Sequence, residues 1–374
     1  MKITPFAVEQ WMNAYETRCR YNLAETCVAS LTVSELLELA GEKNAILDQL
    51  LPLKMTYGAI EGSERLRCAI AGLYASQPPA NVLVTHGAIG ANALVYQALV
   101  GAGDRVISIV PTYQQHYSIP ESLGAQVSKL TLRREDRYLP DLDELRRLAR
   151  GGVRLIAFSN PNNPTGSQMS RAMLEEVVRI ADAAGAYVLS DEVYRGTEQG
   201  QDSMPASIAD LYPRGISTGS MSKAFSLAGL RLGWICGPHE VLRAAEVHRD
   251  YNTISVGMLD DHFSCIALEH HDKILARSRR IVRENLALLD AWMAAQPSMS
   301  YVKPSAGTIA LLEYDFDLPS RDFCVRLIEQ TGVLFTPGSA FEVEGCVRIG
   351  YANDHSITAA GLVETAGFLR SLAA

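Results

Sequence analysis

The sequence predicts an α/β protein: a large domain with a mostly parallel sheet covered by helices, and a smaller α+β domain. Two observations carry this prediction. Short apolar runs, typical of strands buried on both faces, alternate with helical patterns through the first two-thirds of the chain. The last third instead mixes a long helical stretch with isolated strand-like pieces. A length of 374 residues suits about two domains.

Taken in order, Glu64–Tyr74 reads as a helix, Val82–Val84 as a strand, Ala88–Val100 as a helix and Arg105–Val110 as a buried strand. Asp141 and Glu144 look like a capping box that opens a helix running to Ala149. Val153–Ser159 is a further buried strand. Behind Ser170, a candidate N-cap, Leu174, Val177, Val178 and Ala181 recur at helical spacing. Strands follow at Tyr187–Ser190 and Leu232–Cys236, and such alternation predicts a parallel sheet. Asp260–Ala294 reads as one long helical region. Strand-like pieces at Thr308–Glu313 and Cys346–Tyr351 come next, with helices near Asp322–Gln330 and Thr358–Leu372. The first 40 or so residues break the alternation and are expected to pack on the small domain. The expected division is therefore a large domain at 45–275 and a small domain made of 1–44 and 276–374.

Composition narrows the function. Hydrophobic residues at 48% and charged residues at 20% are globular values and exclude a disordered chain. A net charge of -8 argues against a general nucleic-acid binder, which needs a basic footprint. The seven cysteines are scattered and form no C-x-x-C pair, which points to a reducing, cytoplasmic compartment rather than a disulfide framework. Glu9 and Asn13 interrupt any signal-peptide pattern, and no run approaches the roughly 18 apolar residues of a membrane span. His270-His271 sits in a polar helical stretch without further ligand spacing, so no metal site is expected.

Four segments carry chemistry. Asn160-Pro161-Asn162-Asn163-Pro164-Thr165-Gly166 follows a strand, where open α/β sheets place their ligands. Its prolines fix φ and donate no hydrogen bond, so the segment is a rigid loop. Ser190-Asp191-Glu192-Val193-Tyr194 ends the next strand. Asp191 reads either as a helix N-cap or as a half-buried carboxylate facing a ligand, which needs a partner. Ser220-Met221-Ser222-Lys223, with Arg231 further on, sets hydroxyls and a guanidinium near an amine whose pKa an apolar site lowers. His86-Gly87-Ala88-Ile89-Gly90 turns from strand to helix, and free N–H groups there suit a phosphate. It is neither a dinucleotide fingerprint nor a P-loop. Anion-binding pieces, an amine nucleophile and a buried carboxylate are together what pyridoxal 5′-phosphate requires.

With these residues the chain resembles the fold-type I pyridoxal phosphate enzymes, the aminotransferase class I/II family, over nearly its whole length. The resemblance implies a seven-stranded type of sheet and a homodimer with shared active sites. It implies small-molecule partners, an L-α-amino acid and a 2-oxo acid, with no nucleic acid and no membrane. By the same resemblance Lys223 forms the Schiff base, Asp191 pairs with the pyridinium nitrogen, and Tyr194 and Asn163 hydrogen-bond the ring's phenolic oxygen. Gly87, Ala88, Ile89, Ser220, Ser222 and Arg231 surround the phosphate, and Tyr113 stacks on the ring. Tyr57, in Thr56-Tyr57-Gly58, matches the tyrosine that reaches the neighbouring subunit's phosphate. Arg348, in Val347-Arg348-Ile349-Gly350, matches the clamp for the substrate's α-carboxylate.

The chain also departs from the family. The usual L-x-x-G-x-P segment is not visible, and Asn22-Leu23-Ala24-Glu25-Thr26-Cys27 occupies its place. His248–Ser255 looks like the capreomycidine synthase branch, whose members eliminate from and cyclise a hydroxylated arginine. That keeps a lyase or cyclase open beside plain transamination, and makes Glu25 a candidate partner for a guanidinium. A pyridoxal-phosphate-binding regulator is not expected, because the motifs begin by Tyr57 and leave no room ahead for a DNA-binding domain.

Overall fold

The computed structural model describes residues 2–41 and 43–373. Seven strands form the large sheet: β1 (Val82–Thr85), β2 (Arg105–Val110), β3 (Gln126–Thr131), β4 (Leu155–Ser159), β5 (Tyr187–Asp191), β6 (Gly215–Ser220) and β7 (Gly233–Cys236). Their spatial order is β1-β7-β6-β5-β4-β2-β3. Only β7 runs against its neighbours, pairing antiparallel with β1 and β6, while the other pairs are parallel. The expected strands are all present, and β3 and β6 are additions. β3 is an edge strand whose QVSKLT run alternates weakly. β6 reads GISTGS and has no apolar run, yet it is buried throughout. It fits there because Gly219 leaves room for the Trp234 ring: a Cβ at 219 would lie 2.4 Å from it.

The helices that cover the sheet begin where the sequence marks them. Asp141 accepts from the amides of Asp143 and Glu144, and Ser170 accepts from that of Met173. The long helical region is two helices, Met258–Glu269 and His271–Ala294, broken at His270. The second bridges two cores. Ile274 and Leu275 pack with Leu66, Met221 and Trp234, whereas Val282, Leu286 and Leu289 pack beneath a second sheet.

That second sheet has four antiparallel strands: β8 (Met299–Tyr301), β9 (Ile309–Tyr314), β10 (Thr336–Pro337) and β11 (Cys346–Gly350), in the order β10-β11-β9-β8. Trp11, Leu23 and Val28 join its core, so most of the amino-terminal segment packs there. The helix Val33–Ala40 instead buries Leu36 and Leu37 against the large-sheet side. Among the described residues no helix is long and apolar enough to cross a membrane.

Candidate active site

A cavity of about 330 Å³ opens where β4, β5 and β6 end and the amino-terminal segment crosses them. At one end the helix Gly87–Leu99 starts with Gly87 at φ +65°. A Cβ there would sit 3.1 Å from an Arg231 nitrogen, so the guanidinium lies directly over the helix start. Arg231 donates to the Ala228 carbonyl and has no carboxylate partner among the described residues. Ala88, Ile89, Ser220 and Ser222 line the same end. Free amides, hydroxyls and an unpaired guanidinium together make an anion site.

Asp191 closes β5 and is 5% exposed. Its carboxylate accepts from Asn92 Nδ2 at 2.8 Å and from the Val193 amide at 3.2 Å. Asn92 Oδ1 in turn accepts from the Thr218 hydroxyl at 2.7 Å. His116 Nε2 lies 3.6 Å away, beyond hydrogen-bond length, and its Nδ1 is 2.9 Å from the Tyr96 hydroxyl. The carboxylate is therefore oriented from behind, with its front toward the cavity.

Lys223 follows β6, and its Nζ donates to Thr26 Oγ1 at 2.6 Å and to Cys27 Sγ at 3.5 Å. Burial disfavours the charged amine, but Cys27, Tyr194 and Glu25 outweigh it and raise its pKa above the ordinary lysine value. This corrects the expectation of a lowered pKa, which rested on apolar neighbours in sequence. Polar groups far away in sequence decide the outcome.

Arg348 stands on β11, 3% exposed, and donates to Asn163 Oδ1, the Ala24 carbonyl and Thr336 Oγ1 at 3.1–3.2 Å. Its Nε is buried without a partner. Asn163 is held by its amide donating to Ser159 Oγ. Tyr113 donates to Glu9 Oε1 at 2.6 Å and packs on Phe6, so the amino-terminal helix Ala7–Tyr15 covers that ring. Glu9, Glu16 and Glu25 all line this wall. Burial and then the Glu25 charge raise the Glu16 pKa. Glu25 Oε1 accepts from the amides of Thr26 and Cys27 at 2.6 and 2.9 Å. Burial of Glu25 is outweighed by Lys223 and these hydrogen bonds, which hold its carboxyl below the usual range.

Lys223, Asp191, Tyr194, Tyr113, Asn163, Arg348 and Glu25 thus meet in one cavity with the phosphate-end residues. Tyr57 does not line it and is 79% exposed. Thr26, Cys27, Asn92, His116, Glu9 and Glu16 were not singled out by sequence reasoning. Asn92 had a signal, as a lone amide on the inner face of an apolar helix; the others had none.

A family model for aminotransferase class I and II matches residues 43–363. The chain belongs to this family. A pyridoxal phosphate-dependent aminotransferase from Streptococcus suis 89-1591 superposes with a TM-score of 0.96 at 42% identity, covering 100% of this chain and 99% of that one. The pyridoxal phosphate-dependent cyclase OrfR gives 0.91 at 28% identity, covering 99% and 98%. Capreomycidine synthase from Streptomyces vinaceus is 29% identical over 348 residues, 92% of this chain and 88% of that protein. This aminotransferase-family chain is accordingly a pyridoxal phosphate-dependent enzyme of fold type I. Its residues fit the cofactor: the Gly87 cradle beneath an unpaired Arg231 suits a phosphate, and an amine and an oriented carboxylate share the adjoining cavity.

Proposed function

We propose that this chain moves an amino group between a 2-oxo acid and an L-α-amino acid with a cationic side chain. The observation that carries the reading is one cavity holding Lys223, Asp191, Asn163 and Arg348, with three carboxylates on its amino-terminal wall. Pyridoxal phosphate, when bound, supplies an electron sink for the charge left at the substrate's Cα. Lys223 would hold the cofactor through its amine and, when that amine is free, would take the proton from the substrate's Cα and pass it to the cofactor rather than back to Cα. Asp191, held by Asn92, keeps a proton on the ring nitrogen. Tyr194 and Asn163 would hydrogen-bond the phenolic oxygen, and Tyr113 would stack on the ring. Gly87, Ala88, Ile89, Ser220, Ser222 and Arg231 take the phosphate. Arg348 would grip the α-carboxylate, its guanidinium lining the cavity beside Asn163. Glu9, Glu16 and Glu25 face the distal cation. Glu25 Oε2 has no hydrogen bond among the described residues, whereas Oε1 is occupied by the loop.

The same reading makes the enzyme a cytoplasmic homodimer in which Tyr57 reaches the partner's phosphate. Leu51, Met55 and Tyr57 lie 84, 77 and 79% exposed, and Gly58 in the same segment packs on Met258. Exposed apolar groups at that density mark an interaction face. In this reading the large domain spans 45–275 together with the helix Val33–Ala40, which packs on its core, and the small domain takes the rest of 1–44 and 276–374.

The likeness to capreomycidine synthase and to the cyclase OrfR supports a second reading, a lyase or cyclase acting on a hydroxylated arginine. Stoichiometric enzyme mixed with arginine, and separately with β-hydroxyarginine, decides between them. Transamination gives the 2-oxo acid and a pyridoxamine form absorbing in the near ultraviolet. Loss of water from the hydroxylated substrate, with no pyridoxamine form, overturns it in favour of the second reading.

A further inference from the structure

The loop that replaces the family's glycine–proline segment is held at nearly every backbone group. Asn22 Oδ1 accepts from the amides of Ala24 and Glu25, both at 3.1 Å. Glu25 Oε1 accepts from the next two amides. The Thr26 carbonyl accepts from Thr308 Oγ1 at 2.6 Å, and the Val28 amide donates to the Lys223 carbonyl. Gly350 admits the Glu25 carbonyl so closely that a Cβ there would be 1.7 Å from it. A loop so constrained fixes where its side chains point. Thr26 is buried, and its hydroxyl oxygen accepts a hydrogen bond from Lys223 Nζ at 2.6 Å, while the Cys27 thiol is the longer contact. Glu25 and Cys27 on the loop, Glu16 beyond it, Tyr194 after β5 and Arg348 on β11 also face the amine, and none of them forms an ion pair with it among the described residues.

We propose that Thr26 is a positioning residue: its hydroxyl holds the Lys223 amine in place whenever that amine is not bonded to the cofactor. The inference rests on Lys223 being the cofactor lysine. An oxygen acceptor on a charged donor stabilises the ammonium and aims it. Without it the amine swings freely and loses the geometry from which it exchanges a proton with the substrate's Cα.

The test uses the full-length protein stripped of cofactor, at mildly alkaline pH, with limiting amine-reactive reagent and peptide mass spectrometry. Thr26→Val should label at Lys223 about tenfold faster than the parent, and Thr26→Ser should match the parent. Alkylation of Cys27, on the same loop, should stay unchanged in both variants. In the reconstituted enzyme Thr26→Val should lower kcat with little change in KM, and serine should restore it. Unchanged Lys223 labelling in Thr26→Val overturns the proposal. So does a serine variant as impaired as the valine one, or a parallel rise in Cys27 alkylation, which makes the residue merely structural. Failure of borohydride to fix a pyridoxyl group on Lys223 of the parent would instead overturn the functional reading beneath it.

Discussion

In the proposed reaction Lys223 and Asp191 would meet the sharpest chemical demands, because each would act at one atom. The holoenzyme should be yellow, and Lys223→Ala should lose both the colour and turnover. Borohydride reduction and peptide mapping should find the pyridoxyl group on Lys223, and its appearance on another lysine would sink the assignment. Behind Asp191, Asn92→Ala should keep the cofactor but slow kcat by roughly tenfold or more, since a hydrogen bond to a charged group contributes about 1.5–3 kcal/mol. Normal turnover in that variant would mean that the carboxylate needs no orientation from Asn92. On the acidic wall, Glu16→Gln removes charge from the cavity mouth. It should raise KM for arginine several-fold and leave alanine nearly unchanged. An equal effect on both amino acids would show that Glu16 does not read the side chain.

At the scale of elements, close backbone approach does what side chains cannot. β11 carries Arg348 and is also the seat of the amino-terminal loop, because Gly350 has no Cβ to meet the Glu25 carbonyl. Gly350→Ala should therefore displace the loop and destabilise the fold by about 1–3 kcal/mol, the usual cost of overpacking. A thermal melt checks the stability, and faster Cys27 alkylation checks the loop. An unshifted melt with unchanged alkylation would show that the segment adapts. β6 illustrates why part of the sheet was illegible in the sequence. Its burial depends on Gly219 lying under Trp234, a residue on β7, and a local window of GISTGS carries no sign of that. β2 and β4 were legible because both faces of each are covered, and their apolar runs say so.

For the whole molecule the expectation is a two-fold dimer, the commonest closed symmetry. Tyr57 is exposed and lies outside its own chain's cavity. Sedimentation at micromolar concentration should show a dimer. Leu51→Asp combined with Met55→Asp should shift it toward monomer and reduce activity together with cofactor affinity. A fully active monomer would refute the shared site.

The sequence by itself determined the layered fold and the chemistry-bearing residues that follow each strand, because apolar periodicity and strand-end motifs are local properties. Lys223 and Asp191 were legible in this way, whereas Arg348, in the middle of β11, was reached only through the match to the family's motif. Only the tertiary structure decided what surrounds them. The Thr26 hydroxyl meets Lys223 across 197 positions, Asn92 meets Asp191 across 99, and Glu9 meets Tyr113 across 104. Contacts at such separations arise from how sheets and helices pack, as do those that bring Cys27, Tyr194 and Glu25 around the buried amine. The raised pKa of Lys223 and the acidic wall of the cavity are consequences of packing that no segment of the chain carries alone.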